Sequence, residues 1–125
     1  MAVRVINLAE KFAAFKERWS PKIVADLNES HVKLAKLQGE FVWHRHENED
    51  ELFLVTSGVL RMRVREDGRE RELLVGPGEL IVIPRGMEHL PVGDDEVHVV
   101  LVEPKTTLNT GNVRNERTRD ELERL

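Results

Sequence analysis

Hydrophobic positions along this chain change their period once, near Lys22. Before it, Leu8, Phe12, Phe15 and Trp19 recur at spacings of four, three and four, one apolar stripe on a helix that ends before Pro21. Asn7, with Glu10 three residues on, is placed to cap that helix, and residues 3–6 read as a short strand or extended arm. After Lys22 the period is two. Strands are expected over residues 23–27, 31–37, 40–46, 52–56, 59–64, 71–75, 79–83 and 97–102, separated by Asn28-Glu29-Ser30, Gly39, Ser57-Gly58, Glu66-Asp67-Gly68 and Gly76-Pro77-Gly78. Arg61, Arg63 and Arg65 alternate with Leu60, Met62 and Val64, the mark of a strand with one wet face.

Short strands between turn signals, with no helical stretch among them, predict an all-β antiparallel sandwich or barrel, and the count suits a jelly roll. The expected organisation is one domain over residues 1–125: an arm and helix over 3–20, a barrel core over about 22–104, and a polar tail over 105–125. The tail reads as an ordered surface loop, with Thr118 and Glu121 capping a last helical turn through Leu122 and Leu125.

Composition narrows the partners. Nineteen Lys and Arg against 23 Asp and Glu give a net charge of −4, and the basic residues form no stripe, so nucleic acid is not an expected partner. There is no cysteine, which removes disulfides, thiolate metal sites and a thiol nucleophile. The first residues lack a basic-then-apolar leader and no apolar run reaches membrane-spanning length, so a cytoplasmic protein without a membrane partner is the expectation. Tyrosine is also absent, which removes one kind of catalytic acid.

The chemistry gathers in residues 41–58. His44 and His46, two apart on a strand, point to one face, and Glu51 reaches the same cavity if a turn occupies residues 47–50. His89, just past the strand end at Pro84-Arg85-Gly86, is placed to complete the set. Three imidazoles and one carboxylate suit one divalent transition ion, iron, manganese, nickel, cobalt or zinc, and suit calcium or magnesium poorly. Glu47, Glu49 and Asp50 crowd Glu51 as a solvated acidic turn. His98 would line the pocket only if its strand face is inward, with a core or interface histidine as the alternative, and His31 reads as surface. Met62, Phe53, Val55 and Leu60 have the parity to line a cavity or to fill a plain core. Arg85 either greets an anionic substrate or is an exposed turn residue, and Trp43 and Arg45 point away from the histidines.

These residues carry a resemblance. Gly39, four residues, His44-Arg45-His46, four residues, Glu51, six residues, Gly58 is similar to the first motif of the cupin superfamily, one residue short after the glycine. Gly78, five residues, Pro84-Arg85-Gly86, two residues, His89 is similar to the second, with Gly93 where that motif has an asparagine. The register to Gly58 singles out Glu51 from its acidic neighbours. The resemblance, over about residues 34–102, implies a double-stranded β-helix, or jelly-roll barrel, with His44, His46, Glu51 and His89 as metal ligands, Glu51 also serving as proton acceptor. It also implies a small-molecule ligand and a homodimer, in which the Trp43 and Arg45 face packs on a second subunit.

Three functional classes follow from the resemblance. The first is a metal-dependent oxidation of a small molecule, dioxygenase-like, which a complete ligand set favours. A sugar isomerase or lyase with a redox-inert ion is the second, and the missing tyrosine weakens it. The third is a non-catalytic ligand-binding module; its regulatory form joins the barrel to a helical DNA-binding domain, for which the chain offers no segment.

Overall fold

A computed structural model describes residues 2–125. A short helix, α1 (Leu8–Ala13), precedes seven strands: β1 (Lys22–Leu27), β2 (Ser30–Glu40), β3 (Glu51–Ser57), β4 (Leu60–Glu66), β5 (Arg69–Val75), β6 (Leu80–Ile83) and β7 (His89–Pro104). All pair antiparallel in the order β1-β2-β7-β3-β6, and β4 joins β7 to β5. The spine is β7, which pairs with β2 along most of its length. Its first residues also pair with β4, and its later ones with β3. One strand thereby belongs to both halves of a sheet that folds over an apolar interior of Leu37, Phe53, Val55, Leu60, Met62, Val97 and Val99. The jelly-roll class expected from the sequence is the one the chain adopts, as a folded sheet whose ladder is not closed.

Local chemistry explains the main joints. Asp67 and Gly68 both have positive φ, 51° and 74°, and so form the two-residue turn that matches the twist of the β4–β5 hairpin. At Gly93 the β2–β7 register shifts, and a Cβ there would lie 2.9 Å from Asp95 O and 2.9 Å from a Val97 methyl. The asparagine of the family motif has no room at that bend.

Four expectations need correction. The helix stops at Ala13 instead of running toward Pro21: the chain beyond it bonds to β2, with Phe15 O accepting from Lys36 Nζ and Trp19 N donating to Lys36 O at 2.9 Å. Phe12, Phe15 and Trp19 are buried as the stripe predicts, but Trp19 gets there through a positive φ of 59°. Of the two readings of residues 3–6 the strand fails and the arm stands: the segment pairs with nothing regular, and the Val3 and Val5 side chains are exposed. Beyond Glu40, residues 41–46 are irregular, carrying an isolated bridge at His44. Finally, residues 118–125 form no helical turn; Ile23 N bonds Glu123 O and Leu125 N bonds Ile23 O, so the segment lies along β1 as a short parallel bridge.

Candidate metal centre

Backbone bonds place the histidines before any side chain does. His44 and His89 exchange both of their backbone hydrogen bonds, at 3.1 and 2.9 Å; Phe41 N bonds Pro91 O, and Gly86 N bonds His46 O. Residues 41–46 therefore lie along the start of β7. A regular ladder fails because Pro91 has no N–H to return and because these bonds do not share one register. The two imidazoles still reach the same side, and both are buried.

Glu51 enters from the first residue of β3, and His89 from the first of β7. One nitrogen from each of the three histidines and one Glu51 oxygen lie within 4.8 Å of one another, and all four residues are buried. Ligand atoms about 2.1 Å from a single ion are separated by at most about 4.2 Å, so a slight contraction closes the set around one ion. Glu51 Oε1 stands at the middle, 3.3 Å from His89 Nε2 and 3.4 Å from His46 Nε2. His44 Nδ1–H donates to Val42 O at 2.9 Å and His89 Nδ1–H to Met87 O at 3.0 Å, which leaves Nε2 of each as a lone pair facing the cluster.

The cluster's electrostatics favour a cation. Burial, and then the neighbouring His89, push His44 down to about 3, so its ring is neutral and able to ligate. Burial alone would raise Glu51, but contacts with Glu103, His46 and His89 outweigh it and hold its carboxyl well below the usual range. Both ring nitrogens of His46 are buried without a hydrogen-bond partner among the described residues. Unsatisfied buried nitrogens are uncommon, and a metal bond would satisfy one of them. The residues present fit one transition ion.

Beside the cluster lies a cavity of about 40 Å³ whose walls include His44, Glu51, Trp19, Phe41, Phe53 and Asn109. The polar tail contributes Asn109 to it and also presses on the histidine segment. Gly111 has φ 56°, and a Cβ there would sit 2.2 Å from Arg45 O and 3.2 Å from His44 Cδ2.

The acidic run sorts as its register to Gly58 requires. Glu47 pairs with Arg45, Glu49 accepts from Thr106 Oγ1 at 2.7 Å, and Asp50 accepts from Arg85 N at 2.8 Å, so Glu51 alone of the run joins the cluster. Of the residues with cavity parity, Phe53 lines it, while Val55, Leu60 and Met62 pack in the core. His98 faces outward, stacked on Phe12 at 4.6 Å with Nε2 3.3 Å from Glu96. Arg85 is an exposed turn residue, and His31 is a half-buried residue 3.5 Å from Asp26. The Trp43 ring lies on the arginine face, 3.9 Å from the Arg65 guanidinium.

Sequence reasoning passed over two residues: Lys33 and Glu103, buried and paired at 2.7 Å. Their parity was the available signal. Lys33 shares a face of β2 with the buried Ala35 and Leu37, and Glu103 shares one of β7 with Val97, Val99 and Leu101.

Comparison with known proteins now decides the family. The family model described as the cupin domain matches residues 30–103, more than half of the chain. The chain belongs to the cupin family. A cupin-2 domain protein of Shewanella frigidimarina of known structure is 40% identical, with a TM-score of 0.76 over 81% of this chain and 95% of that one. Acireductone dioxygenase of Rhodopseudomonas palustris is 45% identical over 47 residues, 38% of this cupin and 28% of that enzyme. Hydroquinone 1,2-dioxygenase of Sphingomonas matches over 83% of this cupin and 33% of its own chain, with a TM-score of 0.73 at 18% identity, which shows the fold alone. The matched segments span less than two thirds of the curated relatives' own lengths. Among the described residues no helix is long and apolar enough to cross a membrane.

Proposed function

We propose that this cupin is a metal-dependent oxidoreductase of dioxygenase type, acting on a small, partly apolar molecule, with His44, His46, Glu51 and His89 as ligands of one divalent transition ion. The observation that carries the reading is the complete buried set of three imidazoles and a carboxylate beside an apolar cavity. The local identity to acireductone dioxygenase lies in the same direction. When bound, such an ion supplies Lewis acidity and, if redox-active, a route for electrons between substrate and dioxygen. Four protein ligands leave positions free on a five- or six-coordinate ion.

The chain's own residues do the rest. Val42 O and Met87 O fix the tautomers of His44 and His89. Trp19, Phe41 and Phe53 exclude water and set a flat apolar wall for the substrate. Glu51, besides ligating, offers a carboxylate oxygen at the cavity wall as the acceptor for a substrate proton.

Elemental analysis of protein prepared without added metal, followed by oxygen uptake with catechols, diketones and thiols, tests this. About one iron, manganese, nickel or cobalt per chain, with uptake on at least one class, is the expected result. Bound zinc without uptake would replace the oxidation with a redox-inert reaction, and no metal at all would remove the reading.

A further inference from the structure

Behind the four-residue cluster the interior holds a polar group that the reading above leaves idle. Lys33 on β2 and Glu103 on β7 point inward, and Lys33 Nζ donates to Glu103 Oε1 at 2.7 Å with each side chain 2% exposed. A buried ion pair is weak evidence for stability, because apolar residues of similar volume serve as well or better. What distinguishes this one is its next neighbour. Leu52 pairs with Val102 and Phe53 with Leu101, a register that sets Glu51 directly opposite Glu103. The two side chains line the same cavity. Like charges directly opposite one another destabilise a sheet. Glu103 Oε2 has no hydrogen-bond partner of its own among the described residues, while Oε1 is taken by Lys33. Lys33, Glu103 and Glu51 thus follow one another across three adjacent strands, Lys33 bonded to Glu103 and Glu51 Oε1 facing His46 and His89.

We propose that Glu103, anchored by Lys33, is a positioning residue for the metal centre: it fixes the Glu51 carboxyl so that one oxygen is presented to the imidazoles. It thereby sets the affinity and geometry of the bound ion. The proposal rests on the reading of the cluster as a metal site. Glu51 starts its strand, at the edge of the irregular segment 41–50, and has no backbone neighbour on its N-terminal side in β3 to restrain it. Glu103, next to the last residue of the longest strand, is paired with His31 of β2 through the backbone and held by Lys33 through its side chain.

The test uses the double variant Lys33→Met with Glu103→Leu, which removes the pair without stranding a buried charge. Zinc affinity is read by competition with a chromophoric chelator, and geometry by the visible spectrum of the cobalt-loaded protein, with circular dichroism confirming the fold. Affinity is expected to fall about 10- to 100-fold, with shifted cobalt bands. Glu103→Gln, whose amide can accept from Lys33 and donate to Glu51, is expected to keep the wild-type cobalt spectrum while losing stability, because Lys33 is left without a counter-charge. Glu103→Asp keeps the charge beside Lys33 but withdraws it from Glu51, and is expected to lose affinity about tenfold even if the double variant does not fold. Wild-type affinity and an unchanged cobalt spectrum in the double variant or in Glu103→Asp would overturn the proposal. Failure of the wild-type protein to bind either ion would overturn the underlying reading instead.

Discussion

At one end of the folded sheet Val55, Leu60, Val75 and Val97 fill the interior; at the other, His44, His46, Glu51, His89, Lys33 and Glu103 do, and both groups are buried. The same strands supply the two ends. Val55 and Glu51 share one face of β3, and Val97 and Glu103 share one face of β7. Equal burial with unequal chemistry separates two tasks. The apolar end gains stability from area removed from water, on the order of 2 kcal/mol for each large side chain. The polar end gains nothing comparable and is costly unless its groups find partners. A cation at the centre of that end gives the carboxylate and the imidazoles the partner they need.

The sharpest way to break this division is to exchange the two ends' expected responses. His46→Ala removes a ligand that has no protein partner, so metal content should fall from about one ion per chain to a small fraction. Its metal-free stability should fall by about 1 to 3 kcal/mol, because the buried imidazole leaves a cavity and Glu51 loses a neighbour. Leu60→Ala, at a fully buried position, should do the reverse, costing about 2 to 5 kcal/mol in urea unfolding while the folded protein binds metal normally. Unchanged metal content in His46→Ala, by elemental analysis, would end the assignment of the site.

A second test uses acid. Folding lowers His44 from 6.5 to about 3, so between those values the unfolded chain holds a proton that the folded, metal-free protein does not. Stability from this group is therefore fully present above about pH 6.5 and is lost as pH falls toward 3, roughly 3 kcal/mol by about pH 4. Glu103 works the other way: burial and the repulsion of Glu51 raise its carboxyl, so its contribution is present at low pH and is lost as pH rises above 4.5. Urea midpoints measured with chelator at several pH values should show wild type losing stability on acidification, and His44→Gln should flatten the difference. Parallel curves for the two proteins would show that His44 is no more desolvated than an exposed histidine.

The legibility of the sequence followed the same division. Alternation found β3 and β4 because one face of each is buried and a two-residue period has only two phases, while turn signals and β-branched or apolar runs marked β1, β2, β5 and β6. It missed the first half of β7, residues 89–96, where both faces are partly covered and the Gly93 bend interrupts the count. The helix ran long on paper because a stripe of Phe15 and Trp19 fits a helix and an irregular chain equally well, and only the bonds to Lys36 and Gln38 decide between them. His44, His46, Glu51 and His89 were readable since metal chemistry restricts residue type and spacing together. Lys33 and Glu103 share the parity of buried apolar neighbours, but that signal is weak on its own, because a charged residue in a strand reads as its solvent face until the partner strand is known. The wall formed by Trp19, Phe41 and Asn109 depends on three segments far apart in sequence, and no local pattern joins them.

The mildest perturbation tests the comparison within one strand. His89 and His98 both lie on β7, the first wholly buried in the cluster and the second on the outer face against Phe12. A stacked aromatic pair contributes about 0.5 to 1.5 kcal/mol beyond its area, so His98→Ala should cost about 1 kcal/mol and leave metal content and cobalt spectrum as they were. His98→Phe should recover most of that loss, because the stack survives and only the weak contact with the exposed Glu96 disappears. Loss of metal in His98→Ala would mean that the two faces of β7 are coupled, and that what happens under α1 reaches the cluster through the strand itself. Thermal unfolding and elemental analysis of the same three preparations distinguish these outcomes, and equal metal in all three is the expected result.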